Sequence, residues 1–446
     1  MDGFLPARVV CMRFHMLDLR HFISLFSKKH GRKSMKKSVL ISIAVLLFVA
    51  TLIVRPAAAL EISGRVFDDS NGNGVLDTDE NALDGIVVSD GEAVTRTGKE
   101  GMYSLKTTSG KIVFVSVPGT HHAPANKFYR YVQDQGKPAA YDFALRRNPG
   151  NNDGKFAFVF ASDTHLGFLR HARDGTAKAF AAVMELSPDL VIHGGDIIYD
   201  ALGTDEGLAR KQYELYVNEL APLIRVPFYH AVGNHDVFGW YSMSEAKSAL
   251  PLYGKGMYEK YFGPRYYSFN YDQCHFVVLD SIARGTQQGG KITYFGWVDH
   301  AQLDWLRKDL QQVDASRPIV LVTHIPTINA LFSVFGLKGE FAVTPAGETV
   351  PKHQISNFSE LFKLFSGHNF KLALAGHHHT YEEIHWKNNM QDALLVVGGS
   401  VCGEWWKGDR EIGFVSWPEG FTLVKVDGEQ FEVSYISYGW KGENEE

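Results

Sequence analysis

Cysteine is scarce in this chain: Cys11, Cys274 and Cys402 are the whole complement among 446 residues. None falls in a paired spacing, which excludes a cysteine-ligated zinc or iron–sulfur site and a disulfide-stapled scaffold. Sequence spacing leaves two options for Cys274 and Cys402, a single bridge or two separate thiols in or beside core strands. Charge of one sign is also lacking. With 45 Lys+Arg against 50 Asp+Glu the formal net charge is -5, and no sustained basic block supplies an electrostatic footprint for nucleic acid. No internal repeat is apparent, and no Ser or Cys nucleophile motif is recognisable.

What is present is globular. At 45% hydrophobic and 21% charged, the chain has the composition and length of two or three packed domains. One long apolar run stands near the start, Ser38 to Val54, preceded by Met35-Lys36-Lys37 and followed by Ala57-Ala58-Ala59. This order of basic, apolar and small residues is that of a secretory signal, so residues 1–59 are read as leader and signal, with cleavage expected after Ala59 and a secreted or periplasmic product. Met35 is then a candidate initiator. The alternative is a membrane anchor through residues 38–54, a run at the short end for a span.

From Leu60 to about residue 148, short β-type runs (Ile62 to Phe67, Gly85 to Ser89, Gly101 to Lys106, Lys111 to Val117) alternate with Gly, Asp and Asn turns, which predicts a small all-β sandwich. The polar stretch Asn148 to Gly154 reads as a boundary that few contacts cross. Over 153–403 the texture changes to apolar strands alternating with helical stretches at 175–186, 207–220, 301–312 and 357–366, the pattern of an α/β core. Residues 404–446 read as a β segment ending in a hairpin about Asp427-Gly428.

The ends of five apolar strands carry the chemistry: Asp163-Thr164-His165, Gly195-Asp196, Gly233-Asn234-His235-Asp236, Thr323-His324 and Gly376-His377-His378-His379. In an open α/β sheet, ligands gather at the carboxyl ends of strands. Residues i and i+2 of an extended segment point the same way, so Asp163 with His165, and His377 with His379, are expected to address one ion pair. Carboxylate, amide oxygen and imidazole without thiolate suit Mn, Fe, Co or Zn. Any one of these motifs alone is weak, since Asp-x-His arises by chance and Gly-Asp after a strand is usually a turn.

In that order, Asp163-x-His165, Gly195-Asp196, Gly233-Asn234-His235-Asp236, His324 and Gly376-His377-x-His379 resemble the motif set of the calcineurin-like metallophosphoesterase superfamily, over about residues 155–400. Tyr266 to Phe269, His275 to Ser281 and Gln302 to Leu306 resemble its packing core. The resemblance implies a four-layer α/β/β/α sandwich and two divalent metal ions. Asp163, His165 and His379 would bind one ion, Asn234, His324 and His377 the other, with Asp196 bridging. Hydroxide generated on the ions would attack a phosphomonoester or phosphodiester. His235 would protonate the leaving oxygen and Asp236 would orient its ring. His378, His193 and His230 read as supporting or core residues. A pyrophosphatase acting on a nucleotide or lipid-linked substrate, and an inactive metal-stabilised envelope-binding protein, are the alternatives.

Two flanking features stand apart. Asp69, Asn71, Asn73, Val75, Asp77 and Glu80 occupy the donor positions of a twelve-residue calcium loop with Gly74 at its turn, which predicts structural calcium. Its β-type flanks resemble calcium loops of bacterial adhesin-type B repeats rather than an EF-hand. Trp405 and Trp406 read as cleft-lining or packed aromatics, and Asn329 to Gln354 either as a lid or substrate-selecting loop or as a stretch holding a short helix that packs away. The expected partner is a phosphorylated small molecule or envelope component, with envelope or membrane attachment open. Oligomeric state does not follow from these residues.

Overall fold

The structure is a computed structural model that describes residues 59–133, 140–150, 153–168, 170–241, 248, 250–334, 339–402, 410–412 and 415–440. The signal-like segment before Ala59, and Trp405 with Trp406, lie outside the described residues. Among the described residues no helix is long and apolar enough to cross a membrane.

Alternation at period two builds the amino-terminal module. Strands β1 (Ala59–Asp68), β2 (Val87–Ser89), β3 (Val94–Arg96), β4 (Met102–Thr108), β5 (Ile112–Val115), β6 (His121–His122), β7 (Tyr129–Tyr131) and β8 (Phe143–Arg147) form two four-stranded sheets, ordered β4-β1-β8-β6 and β3-β2-β5-β7. In β4 the residues alternate strictly, with Tyr103, Leu105 and Thr107 inward. By contrast β5 is buried on both faces, because its sheet is covered by the next domain. Phe114 meets Trp305 edge-on at 6.1 Å, the Trp305 indole N–H donates to Ser89, and Tyr266 donates to the Gly91 carbonyl. The expectation of few contacts across residues 148–154 is therefore overturned. The module is docked on the α/β domain by aromatic packing and buried hydrogen bonds.

The α/β domain begins with β9 (Lys155–Ala161), helix α1 (Arg170–Glu185), β10 (Leu190–His193), α2 (Glu206–Leu215) and β11 (Phe228–His230). Helix α2 continues as a π-helical turn over Tyr216–Leu220. Next come α3 (Gly256–Phe262), β12 (Tyr267–Tyr271), β13 (Cys274–Val278), β14 (Ile282–Thr286), β15 (Ile292–Gly296), α4 (His300–Leu310) and β16 (Ile319–Val322). The remainder is α5 (Leu331–Val334), β17 (Phe341–Val343), β18 (Thr349–Pro351), α6 (Phe358–Leu364), β19 (Phe370–Ala375), β20 (Tyr381–Lys387) and β21 (Asp392–Gly398). A ribbon of β22 (Arg410–Ile412) and β23 (Val415–Trp417) precedes the hairpin β24 (Gly420–Asp427) and β25 (Gln430–Ser437).

Two sheets face each other, ordered β11-β10-β9-β24-β25 and β12-β13-β16-β19-β21-β20. Their contact is aromatic: Phe158 meets Phe276 edge-on at 5.4 Å, and Tyr229 stacks on Phe269 at 3.6 Å. Burial on both faces explains the nearly continuous apolar runs of β10, β13 and β16. Helices cover the outer faces, giving the four-layer α/β/β/α sandwich. Residues 420–437 are not a separate segment, because β24 pairs antiparallel with β9 inside the first sheet. A small sheet ordered β15-β14-β17-β18 stands beside the main pair and contains much of the expected 329–354 loop. Cys274 and Cys402 are both buried and unbridged.

Candidate metal centre

Parallel pairing of β9 with β10 and β10 with β11, and of β13, β16, β19 and β21 in the second sheet, brings the motif loops to the same edge. There the loops are stitched by backbone. The Asp163 N–H donates to Gly195 O, that of His165 to Asp196 O, and that of Gly376 to His324 O. Such close approach needs glycine. A Cβ at Gly233 would stand 2.1 Å from the Asp196 nitrogen, and one at Gly376 would stand 2.0 Å from Ser162 Oγ.

Asp163, His165, Asp196, His377 and His379 all hold positive φ, at 58°, 39°, 51°, 75° and 60°. The extended-segment account of Asp163 with His165, and of His377 with His379, is therefore wrong. These side chains converge because left-handed residues fold each loop sharply. Positive φ at a non-glycine residue costs on the order of 1–3 kcal/mol and persists where surrounding contacts over-determine it, most often at functional sites.

Two groups of ligand-type atoms result: Asp163, His165, Asp196 and His379, and Asp196, His324 and His377, with the atoms of each group within 4.8 Å of one another. Asp196 belongs to both. In the first, His379 Nε2 lies 2.9 Å from Asp163 Oδ1 and 3.0 Å from His165 Nε2. In the second, His324 Nε2 lies 3.1 Å from Asp196 Oδ2, 3.2 Å from His377 Nδ1 and 3.2 Å from Asn234 Oδ1. His324 Nδ1 stands 2.9 Å from Gly194 O. That contact keeps a proton on Nδ1, so Nε2 is the nitrogen that faces the group.

The electrostatics suit cations. Burial opposes charge on Asp163, but His379 and His165 outweigh it and hold the carboxyl well below its usual range. Burial keeps His165, His377 and His379 neutral, the last with its pKa lowered to about 3, so these imidazoles offer lone pairs. At His324 burial is outweighed by Asp196, and the pKa rises to about 9. The point between His324 and Asp196 thus draws positive charge. Buried carboxylates, neutral imidazoles and an amide oxygen aimed at two adjacent points fit a pair of divalent ions, and no thiolate takes part.

His235 lines the cavity of about 520 Å³ above these groups. Burial opposes its protonation, yet Asp196 and Asp200 outweigh it and raise its pKa. The expected orienting role of Asp236 is overturned. Its carboxylate accepts from the backbone N–H groups of Ile197, Ile198 and Gly233, bracing the loops that carry Asp196 and Asn234. The carboxylate facing His235 is Asp200, with Oδ1 3.6 Å from Nδ1. His193 contacts Thr164, His230 contacts Tyr216, and His378 contacts Glu382. Sequence reasoning missed Asp200 and His353, the latter 2.7 Å from His377. Their only signal was position, close after Asp196 and inside the long segment before His377.

In the Asp69–Glu80 loop, Asp69 accepts from the Gly72 and Gly74 N–H groups. Asp77 accepts from the side-chain amides of Asn71 and Asn73, and Glu80 from the Ser70 and Asn71 N–H groups. The Val75 N–H donates to Asn73 Oδ1. The donors curl inward, although their carboxylates are not among the metal-ready groups of the described residues.

Comparison with known proteins completes the description. A family model described as calcineurin-like phosphoesterase matches residues 156–381, and one described as the N terminal of calcineurin-like phosphoesterase matches 70–148. No curated protein matches. Among solved structures the chain is similar to a dimetal phosphatase from Danio rerio, at 16% identity and TM-score 0.40, covering 64% of this chain and 100% of that one. It is also similar to a purple acid phosphatase from yellow lupin (Lupinus luteus) seeds, at 14% identity and TM-score 0.43, covering 86% of this chain and 73% of that one.

Proposed function

The chain belongs to the calcineurin-like phosphoesterase family and is a phosphoester hydrolase, and from that premise we propose that it cleaves a phosphomonoester or phosphodiester outside the cytoplasm. The observation that carries the dinuclear reading is Asp196, the one carboxylate common to both ligand groups. Asp163, His165 and His379 would hold one ion on its first side, and His324, His377 and Asn234 would hold the other on its second. Mn, Fe, Zn or Co would suit this donor set.

When bound, such ions ionise water at neutral pH and neutralise charge on the phosphoryl oxygens. The chain's own residues do the rest. Left-handed backbone and the inter-loop hydrogen bonds fix the ligand side chains before substrate arrives, so little reorganisation is needed during the reaction. Its raised pKa leaves His235 with a proton to give, and it faces the cavity where a leaving alkoxide would emerge. Asp200 supports the charged ring.

Export is supported by the signal-like order of residues 35–59, and amino-terminal sequencing of the mature protein tests it. Calcium in the Asp69–Glu80 loop is supported by its donor spacing. Thermal melting with and without calcium tests that. For the reaction, metal-loaded protein is assayed on paired aryl phosphomonoester and phosphodiester substrates with Asp196→Ala as control. Near-complete loss is expected in the variant. Wild-type protein that takes up no divalent ion, or hydrolyses neither substrate, sinks the reading.

A further inference from the structure

Between His324 and His377 the chain inserts a stretch whose sequence lacks a long apolar period, yet it folds against the site through β17, β18 and α5. It brings one imidazole inward. His353 Nδ1 lies 2.7 Å from His377 Nε2. The two rings are nearly parallel, with centroids 5.0 Å apart and 30° between planes, and Phe332 stacks on His353 at 5.7 Å and 17°.

The environment holds that ring in place. His353 Nε2 lies 3.6 Å from Glu340 Oε2, and the same carboxylate oxygen accepts from Lys352 Nζ at 2.7 Å. Lys352 is itself fixed over the Tyr294 ring, 4.7 Å from its centroid. The His353 carbonyl lies 2.9 Å from His378 Nε2, so the backbone is tied to the loop that carries His377.

The nitrogens assign the protons. His377 Nδ1 faces His324 and Asp196, so a ligand role leaves that atom unprotonated and places the ring hydrogen on Nε2. The hydrogen then has an acceptor in His353 Nδ1, and the His353 hydrogen on Nε2 points toward Glu340. An acceptor on the far side of a metal-binding imidazole fixes its tautomer and ring orientation and raises its basicity.

We propose that His353 is a positioning residue that holds His377 as a ligand to the second ion, so the inserted segment completes that ion's site as well as walling the cavity. This inference rests on the dinuclear reading given above. It predicts that the ion on the His324 side, and not the one on the His165 side, depends on His353.

The test compares wild type with His353→Asn, which offers an oxygen acceptor in place of Nδ1, and His353→Leu, which has similar size without one. Each full-length protein is loaded with Mn(II), and the affinities of both ions are measured by competition with a chromophoric chelator. In His353→Leu one ion is expected to bind about 10–100-fold more weakly while the other is unchanged, and His353→Asn should stay within about threefold of wild type. Circular dichroism checks folding, and if His353→Leu fails to fold, His353→Phe, which keeps the stack on Phe332, replaces it. Unchanged affinities in the acceptor-free variant, or equal weakening in His353→Asn, overturn the inference alone. A wild-type protein that binds no ion overturns the dinuclear reading and this inference together.

Discussion

Asp200 Oδ1 stands 3.6 Å from His235 Nδ1, while Asp236, the next residue in sequence, has its carboxylate committed to backbone N–H groups. Asn234 and Asp236 are buried in the floor of the site, whereas the His235 side chain keeps 17% of its exposure. One loop therefore divides its work. Its outer residues hold the floor together and its middle residue faces the cavity.

Replacing His235 by Ala should slow hydrolysis by about 10²–10⁴-fold for esters with poor leaving groups, which need a proton on the departing oxygen. Good leaving groups should be affected much less. Asp200→Asn should move in the same direction by a smaller factor. The measurement is kcat/KM across aryl and alkyl phosphates, and equal losses along the series count against an acid at this position.

Asp236→Ala should behave differently, because it strands the buried N–H groups of Gly233, Ile197 and Ile198. An unsatisfied buried donor costs about 1–3 kcal/mol, and water entering the vacated space recovers part of it, so destabilisation on the order of 3 kcal/mol is expected. Activity should fall for all leaving groups alike. Denaturant melts combined with the same ester series check this. A variant of unchanged stability that discriminates among leaving groups would reinstate Asp236 as the partner of His235.

The motif loops were legible because each follows an apolar strand and ends in residue types with little reason to gather there except chemistry. Backbone conformation was not legible: nothing in Asp163-Thr164-His165 announces two left-handed residues, since no glycine marks them. Adjacency suggested Asp236 as the support of His235, and only the folded loop shows its oxygens turned onto the main chain. His353 and Glu340 were hidden for another reason. They sit among three-residue strands, β17 and β18, too short for a period to register.

Asp299 links helix capping to pH. It caps α4 by accepting from the Gln302 N–H at 2.9 Å and faces Arg265 at 3.4 Å. Burial opposes its charge, but Arg265 and that N–H outweigh it and lower its pKa. A depressed carboxyl contributes stability that is full above its unfolded-state pKa and is lost as pH falls through its folded-state pKa. Asn can also cap, so Asp299→Asn isolates the charge. Wild type should exceed the variant at neutral pH by under about 1 kcal/mol, given the partial exposure, and the gap should close in acid. Urea midpoints against pH measure it, and a gap that widens in acid would refute the sign.

The carboxy-terminal hairpin carries the last prediction. The register of β24 runs from Thr422 opposite Phe160 to Asp427 opposite Lys155, so it covers β9 along almost its whole length. Phe421, Val424 and Val426 are buried, and the Gly420 N–H donates to Ser400 O beside the site. Ending the chain before residue 420 would bare the hydrogen-bonding edge of β9 and an apolar face, the combination that makes sheet edges aggregate. Because β9 leads directly into Asp163, edge disorder would reach the first ligand loop. The truncated protein is expected to be insoluble or to lose divalent-ion binding. Recovery of a soluble monomer with wild-type metal stoichiometry would mean that the hairpin only decorates the domain.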